Sequence, residues 1–276
     1  MVIKPKLFFN ELALFAATMI LGVFSAYSNA YLIENTIIEP PSFSWDSITV
    51  FLVFFVIFSL ILMRFKKLSG FFLRIFLIVV VFSGSQILFG SAVASPWELF
   101  LALFIAIVFL IFHNVWSHNV GIMLGVAGVS SLLGAMISPQ YAVILLVLLS
   151  FYDIAAVYWT KHMVYLAKGM IESGAIFGFI IPFDMKDIFY HKEEARQHLG
   201  SKFMILGSGD IGLPLVLASS LAVVSISQAL VVALFSLGGL FLTHILFINQ
   251  EGRKPMAALP PIATLTIIGY VVTQLL

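Results

Sequence analysis

The sequence has 276 residues, of which 62% are hydrophobic and 10% charged, with a formal net charge of +1. Soluble domains carry about a quarter charged residues, so this composition excludes an ordinary water-soluble protein, and nothing in it calls for a nucleic-acid partner. The absence of cysteine excludes thiol catalysis, cysteine-ligated metals and disulfides.

A helix that crosses a bilayer needs about 20 mostly apolar residues. In chain order the sequence parses into nine such runs, at 7–32, 46–63, 70–90, 97–113, 119–137, 140–160, 203–225, 227–248 and 257–275. Lipid cannot satisfy exposed backbone groups, and the runs are too long and too unalternating for barrel strands. The expected fold class is therefore an all-α polytopic membrane protein of nine transmembrane helices. The first run is longer than a signal-peptide core and is read as a retained span. The weakest joints are Asn114 to Asn119 and Ser138 to Gln140. Gly121, Gly125 and Gly128 put small residues on one face of the fifth span, as close helix packing requires. Residues 1–276 read as a single membrane domain. Its one sizeable soluble segment is the connection 161–202 between spans six and seven. The apolar half, Gly169 to Phe183, is too short to span and reads as an interfacial or groove-covering helix; the half from Asp184 to His198 is charged and reads as mobile.

Charge then orients the chain. With the amino terminus inside, all 14 Lys and Arg, from Lys4 and Lys6 to Arg253 and Lys254, fall at or near cytoplasmic ends. The outer loops carry Glu34, Glu39, Asp46 and Glu98. This segregation predicts a multi-pass protein of the cell membrane with a cytoplasmic amino terminus and an extracytoplasmic carboxyl terminus.

Two aspartates stand inside these runs: Asp153 in span six, and Asp210 in Gly207-Ser208-Gly209-Asp210 of span seven. An ionisable group kept in hydrocarbon is costly and marks function. On consecutive antiparallel spans, both would lie about 10 Å below the inner surface. Two carboxylates brought within a few Å cannot both ionise readily, so one can polarise a carbonyl while the other deprotonates water. Gly207, Ser208 and Gly209 place no bulky side chain on the approach to Asp210. Pro214 removes the N–H that would bond the Asp210 carbonyl, and Tyr152 adds a hydroxyl beside Asp153. Pro260 and Pro261 leave the carbonyls of Met256 and Ala257 without helical donors, a backbone suited to pairing with an extended peptide. Glu11 is expected to reach the surface or to pair with Lys6, and His244 to make a helix-to-helix hydrogen bond. His113, His118 and His162 are placed at interfaces, where water suffices. The sequence has neither His-Glu-x-x-His nor Gly-x-Ser-Gly with a partner histidine. On the aspartates alone a proton- or cation-coupled secondary transporter competes with a hydrolase.

Tyr152-Asp153, Gly207-Ser208-Gly209-Asp210 and Ala258-Leu259-Pro260, on spans six, seven and nine, together resemble the presenilin and signal peptide peptidase family of aspartyl intramembrane proteases. The likeness extends over the whole chain. The short loops and compact length are similar to a microbial, archaeal-type presenilin homologue, and the inside placement of loop 161–202 is that of presenilins rather than of signal peptide peptidases. The resemblance implies that Asp153 and Asp210 are the catalytic pair. It implies that Tyr152, Gly207, Ser208, Gly209, Ala258, Leu259 and Pro260 shape the active site and contact substrate. Where the family has proline before Ala-Leu, this chain has Ala257. The implied activity is hydrolysis of peptide bonds within transmembrane segments of membrane-protein substrates, in the bilayer, with no cofactor and no metal. Self-association as a homo-oligomer is left open.

Overall fold

The computed structural model describes residues 4–34, 66–250 and 255–275, with positions 49, 50 and 53 between the first two stretches. The elements are α1 (Pro5–Glu34), α2 (Lys66–Gly90), α3 (Trp97–Ile111), α4 (Val115–Met136), α5 (Pro139–Ile154), α6 (His162–Ser173), β1 (Gly178–Pro182), α7 (Lys192–Gln197), β2 (Phe203–Gly207), α8 (Ser208–Ala222), α9 (Ile226–Asn249) and α10 (Leu259–Leu275). A π-helical turn, Ala155–Trp159, continues α5, and a 3₁₀ turn, Met185–Phe189, precedes α7. Five described helices are long and apolar enough to cross a membrane; α3, α8 and α10 are shorter apolar helices. The expected span 46–63 lies outside the described residues apart from positions 49, 50 and 53. The two weak joints are helix starts: Asn114 to Asn119 is the beginning of α4, whose first residue is Val115, and Ser138 to Gln140 the beginning of α5, whose first residue is Pro139.

Two helices form the centre. α8 is buried from Ile211 through Ala222 apart from Leu213, and α4 is buried on nearly every side, so neither needs an apolar stripe. They pack on each other; α1 and α2 cover α4, and α1, α5 and α9 cover α8. Small residues set the spacing. A Cβ on Gly128 would collide with the Gly84 backbone of α2, and one on Gly125 would press on Val80 and Val81, whereas Gly121 meets Phe109 of α3. The glycine face predicted on this span is a close-packing surface.

The peripheral helices are patterned. On α5 the buried residues are Ala142, Leu146 and Asp153, one stripe at helical spacing, which turns Asp153 inward. On α9 the buried residues run Ala229, Val232, Ala233, Ser236, Gly239, Leu240, Thr243 and His244, and this face meets α10.

The segment between α5 and α8 departs from expectation. Gly169–Phe183 is not one interfacial helix: α6 stops at Ser173, where Gly174 takes a left-handed φ of 74°, and Gly178–Pro182 is β1. The seventh run is not helical from residue 203 either. Phe203–Gly207 is β2, antiparallel to β1 in the register Gly178↔Gly207, Ile180↔Ile205 and Pro182↔Phe203. A short apolar run fits strand and helix equally by periodicity; pairing between two such runs decides it. The charged half is structured rather than loose. Asp184 accepts from the Lys186 N–H, and this bond, the largest influence on it, together with nearby Lys6 holds its carboxyl below the usual range. Arg196 bonds Glu193 at 2.7 Å and the Glu172 carbonyl at 3.0 Å.

Glu11 is a correction. It is 3% exposed, and its carboxylate takes the His244 Nδ1 at 2.9 Å, joining α1 to α9, while Lys6 pairs with Asp184 at 3.6 Å. So Asp153 and Asp210 are not the only acids within the apolar body. His244 makes the helix-to-helix bond expected of it. His118 is also corrected: it is 2% exposed and bonds the Gly178 carbonyl at 2.9 Å. Removing one member of a buried pair strands the other, at a cost of about 3 to 5 kcal/mol. His244→Ala is accordingly expected to lower the thermal midpoint in detergent strongly, and Glu11→Gln, which keeps a hydrogen-bonding partner, much less.

Candidate active site

Asp153 lies near the carboxyl end of α5, two residues before the π turn at Ala155–Trp159. Such a turn widens the helix by one residue and re-aims the side chains beside it. The carboxylate is 7% exposed, and its Oδ2 accepts from the Leu259 N–H at 3.4 Å. Leu259 is the first residue of α10. The first N–H groups of a helix have no partner within it, and the next two residues, Pro260 and Pro261, have no N–H at all. Leu259 therefore offers the first backbone donor of that helix end to Asp153, where the helix dipole also attracts negative charge.

Asp210 is the third residue of α8, in its first turn, and half-buried. It is not about seven residues into a helix, as the 203–225 run implied, because β2 occupies the preceding residues. Its carboxyl lies against the Gly207 backbone and within electrostatic reach of Asp153. α5 and α8 pack on each other, and this packing brings the two carboxyls into one site.

The flanking residues have distinct surroundings. A Cβ on Gly207 would stand 2.9 Å from the Asp210 Oδ2, so only glycine leaves that carboxyl undisturbed. Ser208 directs both its N–H and its hydroxyl at the Phe177 carbonyl, at 3.3 Å each. Gly209 is exposed and its Cβ would meet nothing within 4 Å, which leaves open space on that side of Asp210. Tyr152 is half-buried on α5. Pro255–Ala258 is irregular backbone leading into α10. Thr243 of α9 reaches it, its hydroxyl lying 3.5 Å from the Ala258 carbonyl and 2.9 Å from that of Gly239. Of the Ala258-Leu259-Pro260 set, the Leu259 side chain is buried and its N–H meets Asp153, while Ala258 and Pro260 are half-buried. Sequence reasoning missed the Leu259 N–H as a partner for Asp153, although the paired prolines after it were the signal. Among the described residues no group of His, Asp and Glu is arranged to hold a metal ion.

Apolar helices that bring two carboxyls together beside an irregular, proline-started helix end have the organisation of an aspartic protease built into a membrane. The sequence matches the family described as signal-peptide peptidase, presenilin aspartyl protease over residues 12–276, and the chain belongs to that family. Its fold is similar to two solved structures of a presenilin family intramembrane aspartate protease. One, in space group C222, has a TM-score of 0.66 at 21% identity, covering 98% of this chain and 99% of that one. The other, in space group P2, has a TM-score of 0.59 at 24% identity, covering 95% and 96%. No curated protein sequence matches the chain.

Proposed function

We propose that Asp153 and Asp210 are the catalytic pair of an aspartic endopeptidase that cuts transmembrane segments of membrane proteins within the bilayer. The observation that carries this reading is their convergence: Asp153 at the Leu259 helix end, and Asp210 beside Gly207 with open space at Gly209. One carboxyl donates its proton to the scissile carbonyl oxygen while the other, ionised, takes a proton from the attacking water. The gem-diol intermediate then collapses as a carboxyl returns a proton to the leaving amide nitrogen. No acyl-enzyme forms. Tyr152, Gly207, Ser208, Gly209, Ala258, Leu259 and Pro260 bound the space a substrate backbone would enter. The irregular stretch before α10 is suited to pairing with a substrate peptide that has unwound from its own helix.

The proposal includes nine spans in a single membrane domain, with 46–63 as the second. Loop 161–202 and the amino terminus are cytoplasmic and the carboxyl terminus is outside, as the segregated basic residues support. A shared-proton pair should give a bell-shaped pH–rate profile and bind hydroxyl-containing isosteres of the intermediate more tightly than substrate. Trapping of an acyl-enzyme by an added nucleophile would count against it.

Topology gives a further check. A hydrolase needs water from one side only, whereas a transporter must open alternately to both. Gly209→Cys puts a single thiol into the open space by Asp210. A membrane-impermeant thiol reagent is expected to modify it from the cytoplasmic face alone. Modification from the outer face would overturn the orientation.

A further inference from the structure

β1 is gripped along the edge that faces away from β2. Asn119 of α4 makes two hydrogen bonds to one β1 residue: its Nδ2 donates to the Ile180 carbonyl at 2.8 Å, and its Oδ1 accepts from the Ile180 N–H at 2.9 Å. Beside it, the His118 Nε2 donates to the Gly178 carbonyl at 2.9 Å, and Asn10 of α1 donates to the Pro182 carbonyl at 2.8 Å. The contacted residues are two apart, the period of one strand edge. All three side chains are buried, Asn119 at 2% exposure.

This grip fixes which backbone groups of β1 face β2, and so limits a register that the hairpin's own sequence leaves open. Phe179, Ile180 and Ile181 on one strand face Leu206, Ile205 and Met204 on the other, and strands apolar on both faces specify their register weakly. A side-chain amide presents a donor and an acceptor side by side, matched to the C=O and N–H of a single residue. Both backbone groups of Ile180 are spent on Asn119, so they point away from β2, and Ile180 and Ile205 form a pair that is not mutually hydrogen-bonded. Two residues past Ile205 is Gly207, whose backbone lies against the Asp210 carboxyl, a Cβ there standing 2.9 Å from the Asp210 Oδ2. A continuous chain of contacts thus runs from α4 through Ile180 and Ile205 to Gly207. α8 is held by its own burial from Ile211 onward. Loosening the hairpin would leave that helix in place and move Gly207 away from Asp210, by about 3.4 Å for a slip of one residue, the slip that an outward-facing Ile180 forbids.

We infer that Asn119 is a positioning residue for the reaction: by fixing Ile180 to α4 it sets the hairpin register, and so holds the Gly207 backbone against the Asp210 carboxyl. The inference rests on Asp210 being catalytic.

The test compares purified wild-type protein with Asn119→Leu, Asn119→Gln and Asp210→Asn on one single-span substrate, with rates expressed per folded, monodisperse enzyme. Asn119→Leu is expected to lower kcat by about 10- to 100-fold, as a displacement of an ångström or more does, with KM little changed. Asn119→Gln, which keeps donor and acceptor, should recover much of the loss. Because the chain has no cysteine, Ile180→Cys with Ile205→Cys in the Asn119→Leu background can lock the register by oxidation. Activity should rise on oxidation and fall on reduction. If Asn119→Leu does not fold, Asn119→Ser, too short to serve both backbone groups, replaces it with the same expectation. Wild-type kcat in Asn119→Leu, or in the Asn119→Ser that replaces it, or a loss that neither glutamine nor the cross-link relieves, overturns the positioning role. Activity in Asp210→Asn overturns the catalytic assignment and this inference together. An inactive Asp210→Asn beside a fully active Asn119→Leu overturns the inference alone.

Discussion

Replacing either Asp153 or Asp210 by asparagine is expected to reduce proteolysis by several powers of ten while leaving the protein folded. The amide keeps the size of the carboxyl and can still accept from the Leu259 N–H, but it can neither give up the proton that polarises the scissile carbonyl nor take one from water. Groups that act as a unit fail as a unit, so the double variant should be hardly worse than either single one. Stability need not fall in parallel, since an amide is less costly than a carboxylate in an apolar setting. Turnover of a transmembrane substrate and a thermal unfolding midpoint, measured on the same preparations, separate the two effects. A single variant cleaving at near the wild-type rate would remove that aspartate from the mechanism.

The second large effect is expected at Gly207, and it distinguishes two glycines that look equivalent in sequence. A Cβ at Gly207 would lie 2.9 Å from the Asp210 Oδ2, with a valine's methyl groups extending further, whereas a Cβ at Gly209 would meet nothing within 4 Å. Gly207→Val must therefore displace either the carboxyl or the strand that carries residue 207, and a misplacement of about 1 Å at a reacting group can cost on the order of 100-fold in rate. Gly209→Ala changes no contact in the free enzyme, and its rate should stay within a few-fold of wild type unless substrate fills that space. Parallel kinetics on both variants check this. Equal losses at the two positions would mean that the Gly-x-Gly-Asp sequence acts through backbone freedom and not through clearance at Asp210.

How far the sequence could be read depended on which physical signal each element carried. The long helices were legible because a bilayer demands length and apolarity, which composition displays directly. Asp153 was legible because a carboxylate in the run from Val143 to Trp159 has no inexpensive structural explanation. Its partner was not, because the donor is the Leu259 backbone, and only the loss of N–H groups at Pro260 and Pro261 hinted that this helix end would be short of donors. The hairpin was hidden for a different reason. Phe179-Ile180-Ile181 and Met204-Ile205-Leu206 are uniformly apolar, so neither shows the alternation that marks a half-buried strand, and β2 merged by hydropathy into the helix behind it. Glu11 was misread because it stood one turn from the start of a span, close enough to a basic residue to suggest an exposed pair. The partner that buries it, His244, is 233 residues away, beyond any local pattern.

The central claim is that a membrane-embedded aspartate pair hydrolyses peptide bonds inside an apolar helix. Its most direct test is the mass of the fragments released when the purified protein, reconstituted in lipid vesicles, is incubated with a single-span substrate. The account predicts two complementary fragments whose new ends lie within the substrate's apolar span, each with one peptide bond hydrolysed, and no fragments when a hydroxyl-containing isostere is present or when Asp210→Asn replaces the wild type. Cuts confined to the substrate's soluble flanks, or fragments that persist in Asp210→Asn, would contradict it.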